Sequence, residues 1–96
     1  MKIEKKVDSN RMKISLDGRL DANTYQDLEK ELNLDGIEYL ELDLNKLEYV
    51  SSAGLRLILS CHKKMSEQGK MVVKNVKGDV EDVFDITGFT DMLNIE

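Results

Sequence analysis

Apolar and polar residues alternate with period two in several parts of the chain. Met12, Ile14 and Leu16 alternate with Lys13, Ser15 and Asp17, and Leu40, Leu42 and Leu44 alternate with Glu41, Asp43 and Asn45. A weaker alternation runs through Ile3, Lys5 and Val7, and a short apolar run (Met71, Val72, Val73, Val76) follows Gly69. Successive strand residues point to opposite faces, so this pattern predicts strands with one face buried and one wet. Strands covered on both faces would read as unbroken apolar runs.

Three other segments follow helical spacing. Tyr25, Leu28 and Leu32 stand at i, i+3 and i+7, with Asp21 or Asn23 as caps and Gly36 beyond the end. In a second helix, Leu55, Ile58, Leu59, His62 and Met65 form one stripe, with Cys61 flanking it and Arg56, Ser60, Lys63 and Glu67 opposite. A third helix carries Val80, Val83, Phe84 and Thr87. Asp79, Glu81 and Asp82 in its first turn suit the positive end of the helix dipole, and Gly88 closes it.

The predicted order is β-β-α-β-α-β-α. The first two strands are close enough for a hairpin through Asp8, Ser9 and Asn10. Later strands are separated by helices and should run parallel, with right-handed crossovers. The expectation is an α/β fold: a mixed sheet of four to five strands with helices on one face. A core of about a dozen residues is expected for a chain this short.

Composition narrows the function. Ninety-six residues make one small domain, spanning residues 1–96, and 41% hydrophobic with 34% charged is the balance of a folded chain. The longest stretch free of Asp, Glu, Lys and Arg is seven residues, Tyr49 to Leu55, far below the ~20 of a membrane-spanning helix. The N-terminus lacks the apolar stretch of a signal peptide, and the single Cys61 has no internal partner, so a reducing, cytoplasmic setting is expected. The net charge of −5 has the wrong sign for direct nucleic-acid binding. Six acids and no Lys or Arg follow Lys77: a solvated surface, or a face for a basic partner.

The uncharged segment is the informative one. It places Ser51, Ser52, Ala53 and Gly54 at the expected start of the second helix. First-turn N–H groups have no intrahelical partner and can receive a side-chain oxygen or an anion. Gly54 costs about 1 kcal/mol relative to alanine in a helix, which suggests a close approach to the backbone there. A serine here is either an N-cap or a modification site.

The run DLNKLEYVSSAGLRLIL resembles the signature of the STAS domain family, found in anti-sigma factor antagonists and in cytoplasmic domains of sulfate transporters. ISLDGRLDANTYQDLEKEL, with Gly18, Arg19, Leu20 and Asp21, is similar to the family's second strand and first helix. VKGDVEDVFDITGFTDML is similar to its C-terminal region, so nearly the whole chain is covered. In antagonists, a serine at the start of the second helix is phosphorylated by an anti-sigma factor that is also an ATP-dependent serine kinase. The unphosphorylated form holds that kinase and frees the sigma factor; a serine phosphatase restores it. The resemblance puts the phosphorylated residue at Ser52, with Ser51 second. Where the sporulation type has Asp-Ser-Ser-Gly, this chain has Ser51, Ser52, Ala53 and Gly54. It also puts Asp21 beside the phosphorylation site. The implied partner surface is Asp21, Ser51, Ser52, Ala53, Gly54 and Arg56. The alternative is a STAS scaffold, or a regulatory module of a sensor or anion-transporter system, without phosphorylation. Many antagonists carry a further C-terminal helix; here the third is the last element expected.

No enzyme is expected. Gly-x-Ser-x-Gly, Walker and Gly-x-Gly-x-x-Gly patterns are missing. Ser52 and His62 would lie about 15 Å apart along one helix. One cysteine and one histidine do not make a metal site of normal ligand count, and no cofactor is expected. The default for the free protein is a monomer.

Overall fold

The computed structural model describes residues Met1–Glu96. Its elements are β1 (Lys2–Asp8), β2 (Arg11–Leu20), α1 (Tyr25–Glu31), β3 (Tyr39–Val50), α2 (Ser52–Gln68), β4 (Lys70–Lys74), α3 (Gly78–Thr87) and α4 (Phe89–Met92). The expected order is present, followed by the short α4, which the sequence reading did not foresee. The sheet order is β1-β2-β3-β4, with β1 antiparallel to β2 and the other pairs parallel. The β1–β2 hairpin turns at Ser9 and Asn10, where Ser9 takes φ 57°. Outside β4, Asn94–Glu96 adds strand-like pairing: Val73 N donates to Asn94 O (2.8 Å) and Glu96 N to Val73 O (2.9 Å). The four strands of the sheet fall within the expected four to five.

Period two gives the sheet its two faces. Met12, Ile14 and Leu16 pair side by side with Leu40 and Leu42 and are buried. On the open face Glu41 sits between Lys13 (3.5 Å) and Lys74 (3.2 Å), so each strand carries its charge next to an opposite one. Val72, beside Glu41 in the register, is a fully buried exception on that face.

Twenty-two buried residues form one hydrophobic cluster, more than the dozen expected. Part of the excess comes from places without periodicity: Leu34 and Ile37 in the α1–β3 connection, and Phe89 and Leu93 after α3. Gln68 Nε2 secures that connection by donating to Leu34 O (2.6 Å) and Ile37 O (2.7 Å).

Two readings of the sequence need correction. The alternation shows the third strand only as far as Asn45, and the segment from Leu47 reads as a loop that leads into the second helix; in the structure β3 runs unbroken to Val50. Two bulges give β3 one extra residue each relative to β2, between Ser15 and Asp17 and between Gly18 and Arg19. They change the buried spacing from two (Leu40, Leu42, Leu44) to three (Leu47, Val50), which hides the strand's end. Gly18 meets the second bulge at φ 112°, a backbone that side chains rarely adopt. In α2 the buried stripe is Gly54, Leu57, Ile58, Cys61 and Met65, while Leu55, Leu59 and His62 are half-buried. Leucines at 55, 57 and 59 let two adjacent stripes fit the spacing equally well.

Candidate functional site

Leu20 and Val50 are the last paired residues of β2 and β3, so Asp21 and Ser51 leave the sheet side by side. Ser51 N donates to Leu20 O at 2.9 Å. The register thus brings the Gly18–Asp21 segment and the Ser51–Arg56 segment, thirty residues apart in sequence, to one end of the molecule.

The two serines divide the work. Ser51 is the N-cap of α2, with extended backbone (φ −96°, ψ 177°), and its Oγ accepts from Gly54 N at 3.4 Å. Ser51 O accepts from Leu55 N at 2.8 Å, opening the helix. Ser52, the first helical residue, is exposed, and its hydroxyl has no protein partner among the side-chain hydrogen bonds. Ala53 is half-buried, and Arg56 is exposed one turn further on.

Gly54 is buried, and the close approach inferred from its position is real. A Cβ there would lie 2.7 Å from Leu20 Cγ and 2.9 Å from Val50 Cγ2. What approaches is the protein's own core rather than a ligand. Gly54 seats the first turn of α2 against the strand ends and offers no surface to a partner.

Asp21 caps the turn that opens α1. Its Oδ1 accepts from Asn23 N (2.9 Å) and Thr24 N (3.2 Å), and Thr24 Oγ1 accepts in return from Asp21 N (2.9 Å). The bond from Asn23 N, aided by the Thr24 contacts and Arg19, holds the Asp21 carboxyl below its ordinary 3.8, against some desolvation. Its capping contribution is therefore complete above pH 3.8 and lost as the pH falls through the lower folded value. Wild type should melt higher than Asp21→Asn at pH 6, with the gap narrowing at pH 2.5. A gap independent of pH would contradict this account of the carboxylate.

Arg19 Nε lies 3.7 Å from Asp21 Oδ2, and its guanidinium stacks 4.2 Å over the Tyr49 ring. A groove of about 480 Å³ runs from this end between α1 and α2, lined by Tyr25 and Glu29 on one wall and Ala53, Arg56 and Ser60 on the other. Cys61 lies inside α2, where burial pushes its thiol up to about 11; adjacent His62 is half-buried. Sequence reasoning did not find the Arg19–Tyr49 stack or the groove. Arg19 was legible only as one residue of the Gly18–Asp21 run, and Tyr49 pairs with it through the bulge.

The geometry defines a class: a small α/β domain with a capped helix start beside two parallel strand ends. The STAS domain profile matches residues 2–96, and the chain belongs to the STAS domain family. It is 38% identical over 78 residues to BtrV of Bordetella bronchiseptica, provisionally named an anti-sigma factor antagonist; the match covers 77% of this chain and 67% of BtrV. The fold matches the crystal structure of an anti-sigma factor antagonist from Mycobacterium paratuberculosis with a TM-score of 0.86 at 18% identity, covering 98% of this chain and 83% of that one. It also matches the phosphorylated form of the Bacillus cell fate determinant SpoIIAA, with a TM-score of 0.69 at 16% identity, covering 99% and 91%.

Proposed function

We propose that this protein is an anti-sigma factor antagonist, a binding protein rather than an enzyme, switched by phosphorylation of Ser52. Unphosphorylated, it docks on an anti-sigma factor that is also a serine kinase, and the sigma factor is released. In the switching step the Ser52 hydroxyl loses its proton, its oxygen bonds to the γ-phosphorus of ATP, and ADP departs. A serine phosphatase later hydrolyses the ester: water attacks the phosphorus, inorganic phosphate leaves and the serine oxygen regains its proton. The observation that carries this reading is the free, exposed Ser52 hydroxyl beside a cap that Ser51 already supplies. Ser51 is the poorer acceptor, because its oxygen is engaged in capping and half-buried. The fold tolerates a phosphate at the helix start, where the dipole favours an anion, so the switch acts on binding. Asp21, Ala53 and Arg56 flank Ser52 as contact residues.

The test is a pair of baits, Ser52→Ala and Ser52→Asp, each with the cognate anti-sigma factor. Ser52→Ala should hold it and Ser52→Asp should bind at least about tenfold more weakly, the effect of an unmatched charge in an interface. Phosphate mapping after incubation with the kinase and ATP should find Ser52. Equal binding by both baits, or phosphate elsewhere, overturns the switch and leaves the non-phosphorylated scaffold.

A further inference from the structure

Arg56 is exposed on the helix that begins at Ser52, and it makes no ion pair, side-chain hydrogen bond or ring stack. The other two arginines are both committed: Arg11 lies 4.4 Å over Tyr39 and Arg19 lies 4.2 Å over Tyr49. Residues four apart on a helix are neighbours, roughly 5–6 Å between Cβ atoms. Helical side chains lean toward the N-terminus, which puts the turn that carries Ser52 within reach of the Arg56 guanidinium from the groove it lines. Nearby, Arg19 and Asp21 face each other, Glu48 lies near the end of β3, and Glu29 lines the groove across from Arg56 without an ion pair to it.

We infer that Arg56 is the internal counter-ion of phosphorylated Ser52: the guanidinium closes on the phosphate across one turn of α2. The inference rests on the proposed role of Ser52 and adds to it. Modification then changes the surface twice, by adding an anion and by withdrawing from any partner the one uncommitted arginine. A guanidinium matches a phosphate with two parallel N–H donors, which an ammonium does not.

The decisive experiment needs no kinase. Phosphoserine is placed at position 52 by joining synthetic segments 1–60 and 61–96 at the native Ser60–Cys61 bond, and the folded protein is titrated by phosphorus NMR. The second phosphate pKa should lie at least about 0.3 unit lower in the wild-type sequence than in Arg56→Gln. Arg56→Lys should recover part of that difference, and about 1 M salt should close it. Equal values in wild type and Arg56→Gln overturn the pairing. So does a gap that survives high salt, because the residue would then act through something other than charge. Because the phosphate is installed chemically, these outcomes do not depend on whether a kinase modifies Ser52; failure of that reading appears in the phosphate map instead.

Discussion

Alanine at Gly69 is expected to lower stability by about 3 kcal/mol, the upper part of the range for an overpacked site. Gly69 closes α2, its N–H bonded to Met65 O at 2.7 Å, and the chain turns at once into β4. An added Cβ would lie 2.0 Å from Glu38 O and 2.6 Å from Glu38 C. That oxygen also accepts from Lys70 N at 2.9 Å, just before the first residue of β3. The obstacle is backbone held by the sheet, so it cannot swing aside as a side chain would. The backbone angle is not the reason, because φ 173° is extended and open to any residue. In a domain of this size the loss corresponds to a melting point lower by on the order of 15 °C. A fall of less than about 4 °C in a thermal melt, roughly 1 kcal/mol, would show that the α2–β4 corner yields easily.

Phe84→Ala should cost about 3–5 kcal/mol, the usual range for deleting a buried aromatic ring. Phe84 is fully buried, and its ring centroid lies 5.7 Å from that of Phe89, so it ties α3 and α4 to the core. A 96-residue domain holds roughly 5–14 kcal/mol in all, so the loss takes a large share of it. In urea the midpoint should fall while the slope stays the same. A reduced slope would mean that α3 and α4 melt apart from the sheet, and the one-cluster description would fail.

The periodicity exposed most of this architecture because its elements are amphipathic in simple ways. The alternation in Met12–Leu16 and Leu40–Leu44 became the adjacent buried rows of β2 and β3. Val80 and Phe84 became the buried face of α3, and Gly88, at φ 82°, ended it. The sequence was opaque where the cause is tertiary. Nothing local marks the bulges that carry β3 on to Val50. The sequence singled out Gly54 for a close approach and marked Gly69 only as a boundary, yet Gly54 meets side chains while Gly69 meets backbone. At the site, the Ser51–Ser52 pair was legible, but its division of labour was not. That depends on which residue is the last in extended conformation, and the strand register decides it. Asp21 was recognisable as a cap, and only the pairing of Leu20 with Val50 explains why it stands beside Ser51.

The pairing of Asn94–Glu96 with Val73 also bears on how the protein behaves in a crowded solution. A sheet margin with unpaired amide and carbonyl groups invites other strands and can seed aggregation. On the β4 side, Asn94 and Glu96 bond to Val73, and Asn94 Nδ2 donates to Met71 O at 3.2 Å. Half-buried Ile95 holds that cover against the core. The opposite margin is β1, where Lys2, Lys5 and Lys6 make lateral stacking costly. The domain is thus guarded against sheet-to-sheet growth by two unlike means, a covering segment on one side and charge on the other. Loss of Asn94–Glu96 would bare the β4 margin to pairing with other strands.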